Sequence, residues 1–527
     1  MRQPWRLGVE SLPPALAIAL AIYGLSFLLN DAVTWSNPEY LVFSVPGAMD
    51  SGPGFTWQDF RKAFDPLTFD IVRPRFLNYW ITALNVKFRL ALYEYFIPPV
   101  NLSLMLVVHL VMSPLLLFLT VRNLLRSNSI ALSATCLYLT SVGFLSTSVF
   151  FVQPGKILIH SMGLLLVWIL SLMQKRDGEK YFAEHAPLLV AFVFVLNFIA
   201  LSLDDTYAIV AVVACALFWR LFVPRRIETT HLRRAGFSIF AFFVPFLFFI
   251  AFVWKIAPEV SAAIGAGHCD YIGFVFDQSA TVARTPLWPV FRDLAATAIA
   301  STFLVRPYPE NMLAVLLRLT NTQTIVVTAT LVGIALFAFM QAKQKSSTTG
   351  GKANPAVAAF IALGVFFALQ AVYQRFHVQI TGGYYYASLG AIFVSIFLAC
   401  VVASLRSATR WVGHAALLVL MAIQLSNFID LNQRWKKMHM PLIPYSLSTV
   451  RGIYENVITD DGLAPTPEQQ ERMTRIWKEW KNGRREDLTG EANWPGSEAW
   501  FLVEMNALSG FVYRDRVRRC GEQNRIP

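Results

Sequence analysis

Long apolar runs separated by short polar turns recur along most of the chain. They fall near 12–29, 98–121, 129–150, 157–173, 186–203, 206–223, 235–254, 322–341, 354–373, 383–404 and 411–429. Each approaches the roughly 20 residues that a helix needs to cross a bilayer, and together they predict about eleven transmembrane helices. A half-length run, Leu294 to Val305, predicts a re-entrant segment. Three stretches break the pattern: a loop at 30–97, a segment from Lys255 to about Thr320, and a polar tail from Asp430. In the loop, Trp57, Phe60 and Phe64 share one helical face. From Arg75 onward, Leu77, Ile81, Leu84 and Phe88 oppose Asn78, Thr82, Asn85 and Arg89. Both patterns predict helices lying in the interface plane. In the tail, Thr466, Pro467 and Gln469 open a helix that sets Met473, Ile476, Trp477 and Trp480 on one stripe.

Composition agrees with this pattern. Of 527 residues, 55% are hydrophobic and only 15% charged, with a mean hydropathy of +0.49, which excludes an ordinary soluble enzyme. The net charge of +12 raises the question of nucleic acid. The tail from Asp430 is nearly neutral, with 15 Lys and Arg against 14 Asp and Glu, so the excess belongs to the apolar part. There the turns after alternate runs collect the cations, including Arg122, Arg126, Arg225, Arg226, Arg406 and Arg410, whereas the three short intervening turns carry only Lys156 and Arg375. Cytoplasmic loops collect Lys and Arg, so the asymmetry places the N-terminus inside and the loop, the middle segment and the tail outside. No nucleic-acid partner is expected. The first run lacks a small-x-small site after it and reads as an uncleaved anchor. The expected organisation is a transmembrane catalytic module over 1–429, with its first outer loop at 30–97, and a small outer domain over 430–527.

Chemistry concentrates in the first loop. The stretch "TFDIVRPRFLNYW" sets Arg73 before the helix-starting Pro74 and Arg75 inside the first turn. Single interfacial arginines ordinarily meet lipid phosphates. Two at one helix start, in a loop rich in Asp, point to a specific phosphate site. Five carboxylates lie nearby: Asp31, Asp50, Asp59, Asp65 and Asp70. Asp31 stands apart because the end of the first span holds it at a fixed depth. A fixed carboxylate beside a phosphate-binding pair suits glycosyl transfer. The carboxylate takes a proton from an acceptor hydroxyl, that oxygen attacks an anomeric carbon, and a lipid-linked phosphate leaves under arginine stabilisation.

The order of short motifs carries a resemblance. Asn30-Asp31 ends the first span, Asn37-Pro38 follows, Arg73-Pro74 precedes an amphipathic helix, and "PPVNLSLMLVVHLVMSPLLLFLTVRNL" contains Asn101 and His109. With "VQPGKILIHSMGLLL" and "TGGYYYASLGAIF", the chain from about Leu12 to Val401 resembles the GT-C glycosyltransferases, most closely the transmembrane-and-TPR O-mannosyltransferases and their bacterial relatives. The resemblance implies an all-α polytopic membrane protein of GT-C type in a bacterial inner membrane, using a polyprenyl-phosphate sugar. It also implies Asp31 as the catalytic base and Arg73 as the loop arginine for the donor phosphate, with Arg75, Lys156 and Arg375 as further candidates. The chain departs from that family in several places: its arginine before the tyrosines is Gly383, its Lys-Glu after the fifth helix is Asp204-Asp205, and no TPR array follows. Arg375 is a substitute for the missing arginine or a cap of the ninth helix. Donor sugar and acceptor do not transfer, so the acceptor stays open between an exported protein such as a pilin and a cell-envelope glycan.

Asp204-Asp205 lies between two apolar runs and reads as a tight turn, a second acidic or acceptor site together with Asp70, or a cation site. His109 and His160 fall within spans, where a helix-to-helix hydrogen bond is the expected role. No cofactor is required and no metal is assigned, with a divalent cation at Asp204-Asp205 left open. Cys136, Cys215 and Cys400 fall within spans, whereas Cys269 and Cys520 face the oxidising side and are candidates for a disulfide. The competing class is a multi-span transporter or lipid flippase, but those commonly carry internal repeats and broken midplane helices, and neither is evident here.

Overall fold

The computed structural model describes residues 14–25, 77, 78, 81, 84, 104–149, 154–174, 178–204, 206–221, 239–256, 259, 263, 355–375, 389–406 and 409–438. Apart from short turns and caps these residues are helical, and they include no strand. In chain order the helices are α1 (Pro14–Leu25), α2 (Leu104–Leu125), α3 (Asn128–Thr140), α4 (Val142–Val149), α5 (Pro154–Met173), α6 (Gly178–Leu203), α7 (Tyr207–Leu217), α8 (Val244–Ala251), α9 (Pro355–Arg375), α10 (Gly390–Ser404) and α11 (Arg410–Met438). Among the described residues one stretch, Met105–Leu125 in α2, is long and apolar enough to cross a membrane, and the other apolar stretches run 10–17 residues. The expected runs at 294–305 and 322–341, and the tail beyond Met438, lie outside the described residues.

Two of the expected runs are interrupted. The run at 129–150 breaks at Ser141, whose backbone is extended between α3 and α4. Its hydroxyl donates to the Tyr138 carbonyl at 2.6 Å and accepts the Phe144 N–H at 3.1 Å. Such local bonding by Ser offers the backbone an alternative to the helix ladder. The run at 235–254 is α8 flanked by two π-helical turns, Ile239–Phe243 and Phe252–Ile256. There the Asn197 amide donates to the Ala241 carbonyl and accepts from the Tyr207 hydroxyl at 2.8 Å, which ties α6 and α7 to the first π turn.

Side-chain pairs give the helix directions. Ser113 bonds Ser161 at 2.8 Å and Asn123 bonds Ser171 at 3.0 Å, so α2 and α5 run parallel. A two-residue turn reverses α2 into α3, with Arg126 at φ 55° closing the helix through its N–H to the Arg122 carbonyl. His414 bonds Ser133 at 2.9 Å and Gln424 meets Thr140 at 3.4 Å, so α11 runs parallel to α3. Gly163 lets α7 approach α5, because a Cβ there would stand 2.6 Å from Val210 Cγ1. Consequently the starts of α2, α5 and α7 and the ends of α3 and α6 share one end of the bundle. Arg122, Arg126, Arg406 and Arg410 share the other. The core between them is built from Leu117, Tyr138, Phe144, Tyr207, Phe366, Phe393 and Phe397, all buried. The outward faces remain apolar, with Leu188, Phe192 and Val195 of α6 and Trp411, Leu418 and Val419 of α11 exposed.

Candidate functional site

The start of α5 is the meeting point of three distant parts of the chain. Helix starts leave N–H groups without intrahelical partners. Here the Gly155 N–H donates to Asn78 Oδ1 at 2.9 Å. Asn78 is only 2% exposed, while Leu77 and Ile81 beside it pack on the core. This corrects the polar stripe expected from periodicity: Asn78 faces inward, because its amide caps a helix that the loop's own sequence does not reveal. The end of α6 closes the junction, since a Cβ on Gly155 would lie 3.1 Å from the Leu203 carbonyl.

Asp204 follows directly and is fully buried. Its Oδ1 accepts the Thr206 N–H at 3.0 Å and the Thr206 hydroxyl at 2.6 Å, and its carbonyl accepts the Tyr207 N–H at 3.1 Å. The Asp204 carboxylate therefore shapes the turn that starts α7, one of the roles open to it from the sequence. The same turn keeps Asp204 beside the first residues of α5, where Lys156 follows Gly155.

About one and a half helical turns further along α5 lies a buried polar cluster. His109 Nδ1 pairs with Ser113 Oγ at 2.9 Å, and Ser113 also meets Ser161 on α5. The Tyr138 hydroxyl pairs with His160 Nδ1 at 3.1 Å, joining α3 to α5. The His109 ring stacks on Phe144 with centroids 4.5 Å apart and meets His160 edge-on at 5.4 Å. His160 thus makes the expected bond between helices, and His109 reaches α5 through Ser113. Among the described residues no group of three or more His, Cys, Asp or Glu is placed to hold a metal ion.

The other candidates fall as follows. Lys156 and Arg375 lie in helices, in the first turn of α5 and at the last residue of α9. Asp31, Arg73, Arg75, Asp70, Asp205, Cys269 and Cys520 lie outside the described residues. Cys136, Cys215 and Cys400 are free thiols within α3, α7 and α10. Asn78, three residues after Arg75 in the sequence, was expected on the polar stripe of an interfacial helix and not as a cap at this junction. The only signal for it was the Pro154-Gly155 helix start, which requires an acceptor from elsewhere. Comparison with protein-family models, with curated proteins and with solved structures gives no match for this chain.

Proposed function

We propose that the chain is an integral membrane glycosyltransferase of GT-C type that moves a sugar from a polyprenyl-phosphate donor to a hydroxyl of an exported protein or envelope glycan. One observation carries this reading. Asn78, Gly155 and Leu203 are in contact, so the first loop, the turn bearing Lys156 and the turn bearing Asp204 meet at one end of the bundle. Those are three of the places where the sequence concentrates charge suited to a lipid phosphate and an acceptor. In the proposed arrangement Arg73, Arg75 and Lys156 hold the donor phosphate, with Arg375 available from α9. Asp31 takes the acceptor proton while the acceptor oxygen bonds to the anomeric carbon, and the bond to the phosphate oxygen breaks. The products are the glycosylated acceptor and polyprenyl phosphate.

Two features support a bilayer setting, for which the proposed function takes a bacterial inner membrane. The exposed apolar stripes of α6 and α11 suit lipid contact. The segregation of Arg122, Arg126, Arg406 and Arg410 to the end opposite the junction suits a cytoplasmic end, and in the proposed orientation the junction faces outward. The protein's contribution to the chemistry needs no metal, because guanidinium and ammonium groups neutralise the leaving phosphate. Incubating the purified chain with polyprenyl-phosphate sugars and an outer-envelope extract, and assaying released polyprenyl phosphate, tests the reading. A transporter or flippase would bind or move the donor without cleaving it.

A further inference from the structure

Four amide side chains are buried among the described residues: Asn78, Asn197, Gln370 and Gln424. Three of them are committed, Asn78 to the Gly155 N–H, Asn197 to Ala241 and Tyr207, and Gln424 to Thr140. Gln370 on α9 is not. It is 1% exposed, and neither its Oε1 nor its Nε2 has a hydrogen-bond partner. It continues the buried stripe of Ala359, Leu363 and Phe366, so it belongs to the face of α9 that packs on α7 and α10 rather than to the outer surface of the bundle. Ring contacts fix its depth. Phe360 meets Phe397 and Phe366 meets Phe393, both with centroids 5.8 Å apart, so α9 and α10 run antiparallel. α10 ends against the start of α11, where a Cβ on Gly413 would stand 2.9 Å from Leu405 Cδ1. α9 therefore runs away from the arginine end, and Gln370, about one turn beyond Phe366, lies in the half of α9 nearer the junction.

An amide buried with both ends unmet is costly, and an apolar side chain of similar length would remove the cost. Such a violation is expected where a side chain is kept for a ligand. The chemistry of the amide narrows that ligand. It presents two N–H donors and one carbonyl acceptor, without charge. A phosphate only accepts and leaves the carbonyl unmet, whereas a cation meets the carbonyl and leaves the donors unmet. Two neighbouring hydroxyls donate and accept, and so meet both ends. One turn earlier on the same face, Phe366 and Phe367 are buried, an apolar surface of the kind that ligand pockets combine with a few polar groups. Resting on the glycosyl-transfer reading, we propose that Gln370 binds the sugar of the lipid-linked donor through two of its hydroxyls and so distinguishes a sugar-bearing lipid phosphate from the bare one. Charged groups cannot supply this discrimination, because the phosphate is common to both lipids.

The experiment measures binding to the purified full-length chain in detergent, without acceptor. The probes are undecaprenyl phosphate, bare and carrying glucose, galactose, mannose or arabinose, with undecaprenol as the uncharged control. Wild type should bind at least one sugar-bearing lipid on the order of tenfold more tightly than the bare phosphate, the scale of two neutral hydrogen bonds. Gln370→Met should lose that preference and keep its affinity for bare undecaprenyl phosphate. Its thermal midpoint without ligand should match or exceed that of wild type, because the unmet amide is gone. Gln370→Leu should behave alike, and decides where the Met variant does not fold. A preference that survives substitution means that the amide meets water or nothing, and overturns the proposal. A midpoint lowered by both substitutions overturns it too, since the amide then holds the helices together. So does a wild type with no preference for any of the four sugars. A wild type that binds undecaprenol as tightly as undecaprenyl phosphate refutes the lipid-phosphate reading itself, a result distinct from any of these variant outcomes.

Discussion

Asp204 is fully buried, and two hydrogen bonds from Thr206 converge on its Oδ1. Asp204→Ala removes both and leaves the Thr206 groups unsatisfied, which should destabilise the chain by about 1–3 kcal/mol. Asp204→Asn retains an oxygen at the same place and should keep most of that stability in a thermal melt. If Asp204→Asn keeps the fold but stops glycosyl transfer, the charge acts on substrate as well as on the turn. At Arg73 the expected loss is in donor binding. Arg73→Ala should weaken it roughly tenfold to a hundredfold, for a lost contact of about 1.5–3 kcal/mol. Arg73→Lys should recover only part, since an ammonium cannot make the two-pronged contact. Unchanged donor affinity in Arg73→Ala would return that arginine to ordinary lipid anchoring. Of the two carboxylates singled out in the loop sequence, Asp70 stands three residues before Arg73. Under the proposed function, Asp31, at the apolar edge of the first run, is the expected base.

Among the helices, the α5–α7 contact is the most exacting, because Gly163 leaves no room for a side chain against Val210. Gly163→Ala should destabilise the chain by about 1–3 kcal/mol through overpacking, and adding Val210→Ala should recover part of it. Thermal unfolding of the two single variants and the double variant measures this. Full additivity would mean that the two helices separate rather than press together. Element positions were legible in the sequence because an apolar run of such length must be buried in a core or in lipid, and a helix satisfies its own backbone there. Accordingly α5, α6, α9, α10 and α11 overlap the runs at 157–173, 186–203, 354–373, 383–404 and 411–429, although α6 starts at Gly178, before its run, and α11 continues to Met438, into the stretch expected to be the polar tail. The break at Ser141 was not legible, since a serine inside an apolar run reads like any other and only its bonds to Tyr138 and Phe144 mark the interruption. Asn78 was hidden for the opposite reason. Periodicity within the loop placed it on a polar face, whereas its partner lies 77 positions further along the chain. A pattern confined to one element cannot report a cap supplied to another.

At the scale of the bundle, two ends can be told apart among the described residues. Arg122, Arg126, Arg406 and Arg410 lie at one, and the Asn78–Gly155–Asp204 junction lies at the other. In intact cells an impermeant thiol reagent should therefore label a cysteine placed at the junction end and leave Arg406→Cys unlabelled until the membrane is opened. The reverse pattern would invert the orientation. The same labelling, compared with and without reductant, tests the Cys269–Cys520 pairing, because two alkylatable outer thiols exclude it. The central claim is that this polar end transfers a sugar from a lipid phosphate, and the most direct measurement is release of polyprenyl phosphate from polyprenyl-phosphate sugars by wild type, Asp31→Asn and Asp70→Asn side by side. The account predicts acceptor-dependent release by wild type, none by Asp31→Asn although it folds and binds donor, and substantial release by Asp70→Asn. Equal release by wild type and Asp31→Asn, or no release by wild type that binds the donor in the presence of acceptor, would contradict it.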